Sequence, residues 1–276
     1  MKISVVIVCY NSIRTIRQAL QSVLLQKNAE VELIVIDGGS SDGTWEFLQQ
    51  YQEQLAFCSC ETDHGIYDAM NKGIRQASGE YLYFLGADDS LADDEVLNRV
   101  TRCLMKDTGV DILYACVYGV DECIGNLQQV LGREFSRDEL LSGNMPPHQG
   151  MFVRRELMRM GFDLQYRVAA DYDFVVRALL HSAKFFYFDE CIAFYSLNGA
   201  SSQRKLRYKE DLCILQRCGA GPKAIEAMQQ LARRGLRMER IKCLLRSLGI
   251  EGIVQRLRGY ERHSCHMPHC RWCGRD

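Results

Sequence analysis

The sequence predicts an α/β protein with a mostly parallel sheet flanked by helices and followed by a basic helical extension. Three observations predict it. Short apolar runs at Ile3–Val8, Val31–Ile36 and Tyr81–Leu85 have the continuous β-branched and aromatic character of strands buried on both faces. Helical periodicity fills the gaps between them, so strands and helices alternate as in right-handed crossovers. Charge then divides along the chain. Residues 1–219 carry 22 Lys and Arg against 30 Asp and Glu, whereas residues 220–276 carry 12 against 5.

The bulk properties narrow the class. A chain of 276 residues, 47% apolar and 25% charged, has the make-up of a soluble protein with one large domain and an extension. The boundary is expected near 215, giving a body of residues 1–215 and an extension of 216–276. Thirteen cysteines, an odd number scattered through strand-like and helix-like positions, argue for a reducing compartment rather than a disulfide framework. No run approaches the roughly 18 apolar residues that span a bilayer, and the start of the chain does not read as a signal peptide. The expectation is a cytoplasmic protein. An acidic body with a basic tail suggests a polyanionic partner surface. Aromatic residues for base stacking are sparse in the tail, so a membrane is expected and a nucleic acid is not.

In order, Ile3–Val8 is the first strand, interrupted only by Ser4. Tyr10-Asn11-Ser12 is its exit loop, and Ser12 is an expected N-cap for a helix through Leu25. Val31–Ile36 is the second strand, ending at Asp37-Gly38-Gly39-Ser40, before a helix carrying Trp45, Leu48 and Tyr51. Phe57–Cys60 is a third, short strand. Ile66 opens a helix on which Asp68, Asn71 and Lys72 share a face, since residues three and four apart are neighbours. That face either lines a cleft or is simply solvated. Tyr81–Leu85 is a buried strand ending in Asp88 and Asp89. Two carboxylates there can hold Mg²⁺ or Mn²⁺, hard cations that prefer oxygen. Alternatively, Asp88 caps the next helix, expected over Asp94–Met105.

A strand follows over Asp111–Tyr118, and residues 121–146 read as irregular. Pro146-Pro147-His148-Gln149-Gly150 leads into a further apolar run, Met151–Val153. Ala169–Asp173 opens a helix with Asp171 and Asp173 in its first turn, where the helix dipole favours negative charge. Short strands are expected at Phe185–Phe188 and Ile192–Tyr195. From Lys223 to Leu248 a helical pattern sets Ile225, Met228, Leu231, Leu236, Ile241 and Leu245 against Arg and Lys. It is either an interfacial helix or one packed on the body. The run Cys265–Cys273 is dense in zinc-ligand types. Cys270-x2-Cys273 has suitable spacing, with Cys265, His266 or His269 to complete a set; incidental ligands in a tail are the competing reading.

Four stretches in order carry a resemblance. They are Val5–Asn11, Val35–Thr44, Asp63–Gly73 with its Gly65-Ile66-Tyr67-Asp68-Ala69-Met70-Asn71-Lys72-Gly73, and Gly79–Asp89. Together they resemble the family 2 glycosyltransferases, which have the GT-A fold, and within them the enzymes that build bacterial surface polysaccharides. The likeness extends to about Ser202.

The resemblance implies transfer of a sugar, with inversion, from a nucleotide-sugar donor to a hydroxyl of a saccharide acceptor, here expected to be lipid-linked. UDP is the first expectation for the nucleotide. Cys9, Tyr10, Asn11, Asp37, Asp63, Asn71, Lys72 and Asp88 would bind the nucleotide sugar. Asp89, assisted by Asp88, would bind the metal. Asp171 would be the general base, with Asp173 as runner-up. His148 and Gln149 would face the acceptor or the diphosphate, and Asn198–Ser202 would close over the donor. The chain departs from the family pattern at Gly38, where a second acid is common, and at Ala170, where Glu is usual. Two other readings compete. A sugar nucleotidyltransferase would carry a Gly-rich loop that Val8–Ser12 lacks. A non-catalytic binding protein would fit the two departures.

Overall fold

The computed structural model describes residues 1–122, 127–197, 204–250, 252, 254, 261–263, 270 and 272. The first half is the expected alternation. β1 (Lys2–Cys9), α1 (Ile16–Leu24), β2 (Glu30–Asp37), α2 (Thr44–Gln49), β3 (Phe57–Cys60), α3 (Ile66–Gln76) and β4 (Tyr81–Gly86) follow in turn. β1 pairs in parallel with β2 and with β4, and β2 with β3, so the C-terminal ends of these strands share one rim. Side chains alternate to two cores. Val6, Val8, Ile34, Ile36, Leu82 and Phe84 pack with α3 on one face. Ile3, Val5, Ile7, Leu33, Val35, Tyr81 and Tyr83 pack with α1 and α2 on the other. Burial on both faces is why these runs lack polar alternation.

One polar residue interrupts β1 for a reason. Ser4 Oγ donates to Glu32 Oε2 at 2.5 Å and accepts from the Gly79 amide at 2.9 Å. Glu32 also accepts from the amide and hydroxyl of Ser78. Burial pushes the Glu32 carboxyl up, but these hydrogen bonds, led by Ser4, outweigh it and hold the group at about 2.

The second half departs from the expected elements. After β5 (Ser90–Leu91) and α4 (Val96–Lys106) comes β6 (Ile112–Asp121), longer than predicted. Within 121–146, read as irregular, the described residues form β7 (Leu127–Leu131) and a short helix α5 (Arg137–Leu140). α5 opens with a reciprocal capping box between Ser136 and Glu139. β8 (Met151–Arg154), α6 (Arg155–Met158) and α7 (Ala170–Leu180) follow. The two predicted short strands are one strand, β9 (Phe185–Ser196), whose register against β6 shifts around Cys116. The irregularity let the chain look broken at Asp189 and Glu190 when it is continuous. β8 joins β4 and β6 antiparallel, so the sheet runs β7-β6-β8-β4-β1-β2-β3 with β9 alongside β6 and β5.

Two helix starts also differ from expectation. Ser12 does not cap α1 with its side chain. Its carbonyl accepts from the Thr15 and Ile16 amides in a turn, and the helix begins at Ile16. Asp88 does not cap the helix after β4 either, because α4 begins at Val96 with Glu95 before it.

The chain continues into α8 (Arg204–Arg217) and α9 (Pro222–Ser247), with β10 (Glu261–Arg262) pairing β7. α9 starts against the body, where Met228 joins the core of α7 and α8. Farther along, Leu231, Met238, Ile241, Leu244 and Leu248 are exposed. The reading of this helix as packed on the body holds for its start. Among the described residues no helix is long and apolar enough to cross a membrane. Asn198–Ser202 and most of Cys265–Cys273 lie outside the described residues.

Candidate active site

At the β1–β2–β3 rim, Asp37 sits between Cys9 and Cys60 in register. Its carboxylate is fully buried and accepts from the Ser40 amide at 2.9 Å, the Ser40 hydroxyl, the Cys60 thiol at 2.9 Å and the Cys9 thiol at 3.4 Å. Burial, then the neighbouring Asp37, pushes the Cys9 thiol far up; Cys60 is raised to about 11 by burial and its hydrogen bond to Asp37. Both thiols stay protonated, as donors to a carboxylate must.

The adjoining loops are laced together. Asn11, at φ 49°, donates its amide to Ser40 Oγ at 2.7 Å and accepts from the Ser41 amide at 2.9 Å. Tyr10 beside it projects into solvent, 63% exposed. A Cβ at Gly38 would collide with Asp63 Oδ2 unless that side chain moved, so the Asp63 carboxylate lies against position 38.

The polar face of α3 is mostly occupied within the protein. Asn71 clamps the main chain of Phe162 from both sides, at 2.9 Å each way. Lys72 Nζ donates to the Thr62 carbonyl at 3.1 Å, and Asp68 Oδ2 accepts from the His64 amide at 3.1 Å. These residues fix the loops before α3 and after α6.

Asp88 and Asp89 follow β4 directly. Asp89 is buried, and its Oδ1 accepts from the Ser196 amide at the end of β9, at 2.9 Å. A Cβ added at Gly86 would collide with Asp89 Oδ2 and lie 3.0 Å from Asp88 Oδ1. Both carboxylates therefore converge on one spot that only glycine leaves open. Among the described residues no third acid, His or Cys completes a metal-binding group there. Paired carboxylates suit Mg²⁺ or Mn²⁺, which complete their shells with water and substrate phosphates. The residues present fit such an ion.

Asp171 stands in the first turn of α7, its Oδ1 accepting from Tyr67 OH at 3.1 Å and from the Tyr172 amide at 2.8 Å. Burial, then the charge of Asp171, pushes the Tyr67 phenol well up, so it remains a donor. Arg207 of α8 lies close enough to feel Asp171 electrostatically, and its Nε is 3.8 Å from Asp211 Oδ2.

His148 packs between Phe84 and Phe162, with ring centroids at 5.5 and 6.0 Å. Neither ring nitrogen has a hydrogen-bond partner among the described residues, and burial pulls its pKa down against the opposing pull of Asp171. It is a neutral imidazole. Gln149 contributes its carbonyl to Tyr83 OH at 2.8 Å.

Asp173, the runner-up base, is engaged by its own helix. Its Oδ2 is held by Arg177 Nε at 2.7 Å, and Arg177 in turn donates to the Gly161 carbonyl. Two residues of helix turn a side chain by about 200°, so Asp171 and Asp173 leave α7 on opposite sides. Tyr67, the partner of Asp171, lies inside the Asp63–Gly73 stretch, whereas nothing in the sequence ties Arg207 of α8 to α7.

A parallel nucleotide-binding half, an antiparallel half and acids on the rim between them define a GT-A-type α/β transferase. Solved structures share the fold. TarS 1–349 of S. aureus in complex with UDP-GlcNAc superposes with TM-score 0.63 at 21% identity, over 79% of this chain and 66% of that one. Mannosyltransferase PcManGT of Pyrobaculum calidifontis, in complex with GDP-Man and Mn²⁺, gives 0.64 at 18% identity over 83% and 68%. A longer TarS structure is covered to 39% of its length.

The family profile of glycosyl transferase family 2 matches residues 4–162, and the chain belongs to that family. A PGL/p-HBAD biosynthesis glycosyltransferase of Mycobacterium bovis is 34% identical over 185 residues, 65% of this chain and 70% of the relative. An uncharacterized glycosyltransferase of Nostoc is 29% identical over 217 residues, 73% and 66%. The protein is an enzyme, a glycosyltransferase, which removes the nucleotidyltransferase and non-catalytic readings.

Proposed function

We propose that the protein transfers a sugar from a UDP-sugar, with inversion, to a hydroxyl of a lipid-linked saccharide in bacterial surface polysaccharide synthesis. The observation that carries this reading is the pair of acid positions on one scaffold. Asp88 and Asp89 converge over Gly86, and Asp171 is oriented by Tyr67 and the Tyr172 amide.

In this mechanism the acceptor hydroxyl gives its proton to Asp171 as its oxygen bonds to the anomeric carbon. The bond from that carbon to the diphosphate oxygen breaks, and its electron pair leaves with the nucleoside diphosphate. Tyr67 occupies Oδ1 of Asp171, which directs the other oxygen to the acceptor. Asp89, with Asp88, would hold Mg²⁺ or Mn²⁺, which supplies Lewis-acid charge neutralisation at the departing diphosphate. Neutral His148 offers one N–H and one lone pair to the diphosphate or acceptor, with Gln149 beside it. Asp63 would take the ribose hydroxyls, buried Asp37 would hold the Ser40 loop that shapes the pocket, Cys9 and Asn11 would fix that loop, and exposed Tyr10 would cover the base.

UDP is favoured among nucleotides because a structural neighbour binds UDP-GlcNAc; another binds GDP-Man. The basic residues of 220–276 and the exposed apolar residues of α9 support a reading in which the enzyme docks peripherally to an anionic leaflet, at the inner face of the cytoplasmic membrane. The test is nucleotide release from a panel of UDP- and GDP-sugars with Mn²⁺, then with EDTA. Release from a UDP-sugar that EDTA abolishes is expected. Folded protein that turns over no donor sinks the proposal.

A further inference from the structure

We propose, on the reading of Asp171 as the base, that Glu210 of α8 is a positioning residue for the transfer: by gathering the three amides that lead into α7, it fixes where Asp171 presents its carboxylate. Glu210 Oε1 accepts from the Arg167 amide, and Oε2 from the amides of Val168 and Ala169, each at 3.0 Å. Successive main-chain N–H groups turned onto one carboxylate form an anion cradle, and hydrogen bonds to a carboxylate are among the strong ones.

The cradle holds the point where α7 has no side-chain cap. Ala169, at the N-cap position, offers nothing to the first-turn amides. The body of the helix is placed without Glu210, because Phe174, Val175, Val176, Ala178 and Leu179 are buried in the core. Upstream, Asn71 clamps Phe162. Asp171 stands between these fixed points, just past the amides that Glu210 binds. A misplacement of about 1 Å in a reacting group can cost about 10²-fold in rate.

α8 brings further charge to the same place. Arg207 precedes Glu210 by three residues and Asp211 by four, spacings that share a helix face. Arg207 Nε is 3.8 Å from Asp211 Oδ2, and its charge is felt at Asp171. At the end of the same helix, Arg217 Nη1 meets Asp163 Oδ2 at 3.4 Å in an exposed pair. α8 thus ties the entry segment twice, once next to Asp171 in the chain and once at the start of the loop. Only the first tie should govern the chemistry, since exposed ion pairs hold little.

The test uses the full chain with Glu210→Gln, Glu210→Ala and the control Arg217→Ala. Three quantities are measured: kcat and KM with the UDP-sugar that the donor panel selects, UDP affinity with Mn²⁺ by calorimetry, and amide hydrogen exchange over residues 167–172. Glu210→Gln should lower kcat about tenfold and Glu210→Ala about a hundredfold. Donor KM and UDP affinity should stay within about twofold, as they do when only a transition-state contact is lost. Exchange at 167–169 should quicken in both variants, and Arg217→Ala should match the wild type. In an Asp171→Asn background, Glu210→Gln should lower kcat no further, because residues acting as a unit are not additive.

A Glu210→Gln enzyme that keeps its kcat while Asp171→Asn loses it overturns the proposal and leaves the base in place. A fully active Asp171→Asn removes the base and the proposal with it. An undiminished Glu210→Gln effect in the Asp171→Asn background overturns the positioning role alone, as does unchanged exchange at 167–169, whatever the activity. If Glu210→Ala does not fold, Glu210→Gln, which keeps the shape of the side chain, decides; a Gln variant that also failed to fold would make Glu210 a folding residue and overturn the role.

Discussion

Asp171 gains its meaning from Tyr67 and from the helix it opens. Asp171→Asn keeps the shape of the carboxyl but cannot accept the hydroxyl proton. Transfer should fall by about 10²–10⁴-fold while donor binding is retained, with turnover and calorimetry as the two readouts. An unchanged rate would remove Asp171 from the chemistry. Tyr67→Phe removes one hydrogen bond to a charged group, worth about 1.5–3 kcal/mol, so kcat should drop on the order of tenfold to a hundredfold.

Asp211 is the third residue of interest, because burial raises its carboxyl from 3.8 to about 7 against the pull of Arg207. A carboxyl whose pKa is higher folded than unfolded favours the fold below the unfolded value and loses that contribution as pH rises through the folded one. Stability should therefore decline between about pH 4 and pH 7 through this group, by on the order of 2–4 kcal/mol. Asp211→Asn should flatten that decline in thermal melts taken across the range.

Among elements, β1 and α9 make opposite use of polar residues. Ser4 interrupts β1 to reach Glu32, which is also bound by Ser78 and Lys2. Glu32 has the opposite sign to Asp211. Its pKa is depressed to about 2, so its contribution is present above its ordinary 4.5 and is lost as pH falls toward 2. Glu32→Gln should cost about 1–2 kcal/mol at neutral pH, discounted for partial exposure, and less in acid. Urea melts at two pH values measure the difference.

α9 sets Arg233, Arg234, Arg237 and Arg240 near exposed Met238, Ile241, Leu244 and Leu248. Basic residues near an anionic leaflet gain about 1 kcal/mol each. Leu244→Asp with Leu248→Asp should weaken binding to anionic liposomes, and salt should weaken wild-type binding. Salt-independent binding, unaffected by the substitutions, would exclude α9 as the contact.

At the scale of the molecule, the donor end and the acid rim are held by one sheet, so donor binding should stabilise the whole body. A matched UDP-sugar with Mn²⁺ at 100 times its Kd should add about 2.7 kcal/mol and raise Tm, which a thermal-shift panel would detect. Mismatched donors should leave Tm in place.

Much of this was legible in the chain. Ile3–Val8, Val31–Ile36 and Tyr81–Leu85 announce strands because burial on both faces leaves no room for polar alternation. Asp88 and Asp89 announce a rim because a buried run must end where carboxylates can be satisfied. The capping box at Ser136–Glu139 was also legible, though 121–146 read as irregular. The continuity of β9 was hidden by its bulge.

Sequence alone determined the alternation of the first half and the order of the motifs, since local burial periodicity and short-range spacing carry that information. Tertiary structure decided what each acid touches. Asp173 is taken by Arg177, Asp171 is oriented by Tyr67, and Asp63 fills the space over Gly38. Those pairings join residues that no periodicity relates, and only the folded sheet sets them side by side.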